Sequence, residues 1–146
     1  MAAYPDFTAE GGKFNNRTDY WTWHNEDGLT HRGNDLPAVI SKYFVVCMWF
    51  INGEKHLDHG PAHVVKRDFP IKDRYEEWVF HDKTHRLDGP AIKMHDGTVQ
   101  YYVDGEKFEG GDDDTYKEAC RRFRIEHDLL EPGKLTKRAQ TTPGSP

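Results

Sequence analysis

The sequence predicts a mainly β protein: a twisted antiparallel meander of β-hairpin repeats with one C-terminal α-helix. Three observations carry this expectation. A phrase recurs, "THRLDGPA" at residues 84–91 echoing "KHLDHGPA" at 55–62 and, with insertions, "THRGNDLPA" at 30–38. The turn dipeptides Asn52-Gly53, Asp104-Gly105 and Asp27-Gly28 sit between alternating apolar residues, the pattern of tight hairpins. The 146-residue chain is 36% hydrophobic and 31% charged but 13% aromatic, which suits a thin repetitive sheet better than a thick core.

The elements follow in order. Residues 1–19 form an N-terminal arm, either free or docked on the sheet through Tyr4, Phe7 and Phe14. A repeat domain covers 20–111. Its second and third copies share the spacings Trp49–His56–Pro61 and Trp78–His85–Pro90. The first copy runs from Trp23 through His31 with one extra residue on each side of the histidine. A fourth begins with Tyr101 and Phe108 at the Trp and His places and then stops. In the third copy, His81-Asp82-Lys83 lacks glycine, so a different or looser turn is expected there. Gly89, before Pro90, is expected to take a left-handed conformation. Extra residues at 66–77 mark a loop. A lone hairpin is unstable in water, so the copies stack edge to edge. That sets Trp23, Trp49, Trp78 and Tyr101 in a row, with His31, His56 and His85 beside them, and leaves the terminal copies to cap the sheet. A capping helix is expected over 112–131, with Asp112, Asp113 and Asp114 at its N-terminus. Tyr116, Ala119, Cys120, Phe123, His127 and Leu130 then share one face, and Pro132-Gly133 stop the helix. Its outward side carries Lys117, Arg121, Arg122 and Arg124, a solvated face or a contact patch for an acidic partner. The polar tail 132–146 is expected to be flexible.

The net charge of −5 does not advertise nucleic-acid binding, and no apolar run is long enough to span a bilayer. The N-terminus lacks the basic-then-apolar pattern of a secretion signal. Cys47 and Cys120 have no metal-type spacing and read as buried thiols in a reducing compartment. The nine histidines invite a metal or catalytic reading, with His59/His63 and His81/His85 at i,i+4. Turns interrupt both pairs, however, and a histidine repeated in each copy serves the copy rather than a single site. Its ring is expected to pack on Trp or Tyr, with a ring nitrogen bonded to turn backbone or to Asp58 or Asp88. No nucleophile motif or phosphate loop accompanies the His/Asp pairs. No cofactor, metal ligand set or catalytic residue is assigned. The binding candidates are Trp49, His56, Trp78, His85, Arg86 and Tyr101.

These copies resemble the MORN-like repeats of bacteriophages and large DNA viruses, whose pattern is W-Y-x-N-G-x-x-H-R-x-D-G-P-A followed by a strand and a D-G turn. The best match is "HRLDGPAIKMHDGTVQYYVDGEKF" at 85–108; Arg32 and Arg86 keep the family's arginine, and Leu57 departs from it. The resemblance covers about residues 20–109 and implies a scaffold or binding surface. It implies a non-enzymatic viral accessory protein that binds a virion or host protein, in the host cytoplasm or the virion. The alternatives are an inhibitor of a host defence system or enzyme, and a His/Asp-dependent metal- or nucleotide-binding enzyme. A homodimer through an open sheet edge is compatible with all three.

Overall fold

A computed structural model describes residues 6–66 and 74–129. Tyr4, the sequence 67–73 within the expected loop, Leu130, Pro132-Gly133 and the tail lie outside them. The chain begins with a 3-10 turn, Thr8–Glu10, then β1 (Lys13–Asn15), β2 (Tyr20–Thr22), β3 (Val39–Ser41) and β4 (Val46–Met48). A hairpin β5 (Phe50–Ile51)/β6 (Glu54–Lys55) precedes β7 (His63–Val65) and β8 (Tyr75–Glu77). The unit recurs as hairpin β9 (Val79–Phe80)/β10 (Lys83–Thr84), then β11 (Ile92–Met94) and β12 (Val99–Val103). β13 (Glu106–Phe108) and helix α1 (Asp114–Glu126) complete the described chain.

Nine strands form one antiparallel meander in the order β1-β2-β3-β4-β7-β8-β11-β12-β13. One cross-strand row reads Trp21, Ile40, Cys47, Val64, Glu76, Lys93, Val99. The row is apolar from Trp21 to Val64 and charged at Glu76 and Lys93, and its first residues, Trp21, Ile40 and Cys47, belong to one packed cluster. The expected meander with a C-terminal helix is therefore what the chain forms.

Hairpins β5/β6 and β9/β10 leave the sheet at a register slip, and β12 carries the same slip within it. The Ala38 N–H reaches Met48 O, whereas the next residue, Trp49, donates to Ala62 O; Glu77/Trp78 and Gln100/Tyr101 sit at the same step opposite Ala62 and Ala91. One extra residue on one strand is a β-bulge, which bends and twists the strand and tips the hairpin out of the ladder. Small residues are required opposite these bulges, and Ala38, Ala62 and Ala91 are fully buried.

Three hairpin turns carry positive φ at both central residues: Asn52-Gly53 (49°, 87°), His81-Asp82 (47°, 66°) and Asp104-Gly105 (51°, 87°). The third copy thus makes the same turn as its neighbours, contrary to expectation. The neighbouring copy holds it: Asp82 N–H donates to Lys55 O at 2.9 Å, and Asp82 Oδ1 accepts the Lys55 N–H at 2.7 Å. The first copy departs instead. Only the His24–Thr30 bridge forms there, and Asn25 Oδ1 accepts the N–H groups of Asp27 and Leu29, making a wider loop than a two-residue turn.

Both ends are covered. Phe7 and Phe14 dock on Trp21, with Phe7 also edge-on to Trp23, and Lys13–Asn15 join the sheet as its first strand. At the other end Tyr116, Cys120 and Phe123 of α1 bury against Val103, with Phe80, Leu87, Tyr101 and Phe108 around them. Asp113 caps the helix by accepting the Thr115 N–H at 2.8 Å. The Tyr116 hydroxyl donates to Arg86 O and Gly89 O, tying the helix to the third copy's turn. Cys47 and Cys120 are free thiols, and burial raises both above the usual thiol range. Among the described residues no helix is long and apolar enough to cross a membrane.

Candidate functional site

The recurring histidine closes each copy onto the next. His31 Nδ1 accepts the Asn52 N–H at 3.0 Å, His56 Nδ1 accepts the His81 N–H at 3.1 Å, and His85 Nδ1 accepts the Asp104 N–H at 2.8 Å. Each donor is the first residue of the next copy's positive-φ turn, whose amide would otherwise be unsatisfied. An Nδ1 acceptor puts the neutral ring's proton on Nε2. In His56 that nitrogen meets Asp58 Oδ1 at 2.8 Å, so both nitrogens of a 7%-exposed ring are engaged.

The expected bond to turn backbone is therefore present, and so is that to Asp58. The packing partner differs. His56 lies on Phe80 and His81, and His85 on Phe80 and Phe123, because the next hairpin and the helix, rather than the copy's own tryptophan, cover these rings. Asp88 bonds Arg86 Nε at 2.9 Å instead of His85. Burial pushes His85 down to about 4, with His127 acting in the same direction and Asp104 against it.

The arginine after the histidine covers the tryptophan. Arg86 Cζ lies 3.8 Å above the Trp78 ring, and Arg32 Cζ 3.9 Å above Trp23. Their Nη1 groups donate to Pro90 O and Pro37 O, closing the "DGPA" and "DLPA" turns. This fixes the role of Gly89. Its φ is not left-handed, contrary to expectation; a Cβ there would sit 3.1 Å from Arg86 Cζ, so glycine makes room for the guanidinium. In copy two, Leu57 replaces that arginine and approaches the Gly60 Cβ position to 3.3 Å.

The site candidates fall into separate groups. His56 and His85 are staples, Arg86 and Trp78 are stacked, and Tyr101 packs edge-on to Tyr116 at the helix. Trp49, its Nε1 donating to Asp35 O, lines an open groove of about 1220 Å³ together with Leu57, Val64, Lys66, Lys93 and Val99. The helix's basic residues do not form one outward face. Arg124 turns inward to donate to Leu87 O at 3.2 Å, and Arg121 and Arg122 both pair with Glu118, while Lys117 is exposed.

His81 and His85 serve different partners, Glu54 at 3.1 Å and the Asp104 amide. His63 faces Lys55 at 3.5 Å and Glu77 at 4.0 Å; burial lowers its pKa, Lys55 adding to the effect and Glu77 opposing it. Glu77 also accepts from Tyr75 Oη and Thr84 Oγ1. Among the described residues, no three His, Cys, Asp or Glu side chains converge as a metal cage. Sequence reasoning missed this Glu77 network because strand register assembles it: Tyr75 and Glu77 lie on β8, His63 on β7 and Thr84 on β10.

Comparison with protein-family models, curated proteins and solved structures finds no match to this chain.

Proposed function

We propose that the chain is a non-enzymatic protein-interaction module, a rigid hairpin array that presents its sheet to a protein partner. The observation that supports this best is the use of the histidine row. Three histidines that a catalytic reading would need have Nδ1 engaged by backbone amides, and the His/Asp pair His56–Asp58 has both ring nitrogens occupied. A general base needs a nitrogen within reach of a substrate proton, and in each of these rings Nδ1 is already taken by a backbone amide. The groove beside Trp49, by contrast, is open to solvent. The resemblance of residues 20–109 to MORN-like repeats supports reading such a module as a viral accessory protein.

Recovery of the tagged full-length chain from infected and uninfected host cells, read by mass spectrometry, tests the reading. A protein partner at near-equal amount is expected. Virion proteins would mark an assembly component, and a single host protein would mark an inhibitor. Recovery of the chain alone under both conditions would contradict the module.

A further inference from the structure

The middle of the sheet carries a charge pattern at odds with the whole chain. Among the described residues, Lys66 and Lys93 line the groove beside Glu76, a local cationic excess on a protein of net charge −5. Val64, Glu76, Lys93 and Val99 follow one another across four neighbouring strands, three inter-strand spacings or roughly 14 Å, about four residues of extended chain. Apolar surface is available beside the cations: Val99, Met94 and Phe44 are 42%, 37% and 47% exposed. The volume exceeds that of an ordinary small-molecule pocket.

We propose that this groove binds an extended acidic peptide segment of a partner protein, with apolar side chains toward Trp49 and Val99 and carboxylates toward Lys66 and Lys93. The inference rests on the interaction-module reading and names the surface and the partner's chemistry. Charge complementarity selects this occupant. A nucleic acid would meet an acidic molecule outside the groove, without the extended basic footprint that phosphate binding uses. The chain's own tail brings Lys134, Lys137 and Arg138, which the cationic rim repels.

Fluorescence anisotropy of the full-length chain tests this with a labelled peptide of about eight residues alternating glutamate with leucine, and with its lysine-for-glutamate counterpart. The acidic peptide is expected to bind and the basic one not to. Binding is expected to weaken at high salt, and at least about tenfold in a Lys66→Glu, Lys93→Glu variant whose circular dichroism matches the parent. Equal binding of both peptides, no binding of either, or unchanged affinity in the variant would overturn the proposal. A concentration-dependent dimer abolished by the same variant would overturn it in favour of a second copy. Capture of a partner that survives the double substitution would overturn the groove alone and leave the interaction module standing.

Discussion

At the scale of single residues, one histidine nitrogen does the work that makes four imperfect copies into one body. His85 Nδ1 satisfies the Asp104 amide while the ring fills space between Phe80 and Phe123. His85→Ala removes both, and is expected to lower stability by about 2–4 kcal/mol. His85→Asn keeps an acceptor near the Nδ1 position and is expected to lose measurably less; urea denaturation of the two variants separates acceptor from packing. The same ring makes stability depend on pH. Its folded pKa of about 4 lies below the ordinary 6.5, so between these values the unfolded chain binds a proton that the folded one refuses. Stability is therefore expected to be full above pH 6.5, to fall as pH drops toward about 4 and to flatten below, and His85→Asn should blunt that slope in melting curves taken across this window. The role of this histidine was legible as a period, three rings at equivalent places. Its partner was not, because Asp104 lies 19 residues away and only the stacking of copies brings them together.

At the scale of elements, the ends of the aromatic row are closed in the same way. Gly12 stands where a Cβ would come within 2.9 Å of Trp23 Cζ2, and Gly111 where one would come within 2.9 Å of the Tyr101 ring. Both follow a Glu-Gly pair, "EGGK" and "EGGD", which brings backbone directly against the last aromatic. Gly12→Ala and Gly111→Ala are each expected to cost about 1–3 kcal/mol, because the ring or the Phe7 backbone must move. Gly33→Ala meets nothing within 4 Å and is expected to be neutral or to stabilise by up to about 1 kcal/mol; thermal denaturation ranks the three. The turn at His81-Asp82 shows why local chemistry misleads here. No glycine stands in it, yet hydrogen bonds to Lys55 and the stack on His56 hold two non-glycine residues at positive φ. The apolar spacing of α1 was readable from its sequence. The inward turn of Arg124 was not, because its acceptor, Leu87 O, belongs to the third copy.

At the scale of the whole molecule, each copy touches mainly its neighbours, and the terminal elements supply the cover that the next copy would have given. α1 contributes three of the four buried residues in the C-terminal cluster. Phe123→Ala is expected to cost about 3–5 kcal/mol and to raise amide exchange in β12, β13 and hairpin β9/β10 before that of β2 and β3, whose core of Trp21, Trp23 and Ile40 is separate. Uniform loss of protection along the sheet would show that the array unfolds as one unit. The meander and its capping helix were legible because the period of a repeat survives substitution within it. The groove was not, since its lining comes from strands and turns more than 50 residues apart, Phe44 to Val99, and no local pattern records their meeting.

The most direct test of the account is nitrogen-15 spectroscopy of the histidine rings at neutral pH, recording tautomer and coupling across hydrogen bonds. His31, His56 and His85 are expected as neutral rings with the proton on Nε2, and with Nδ1 coupled to the amides of Asn52, His81 and Asp104. Rings that exchange freely between tautomers, with no coupling to those amides, would contradict the staple and return the histidine row to the candidates for chemistry.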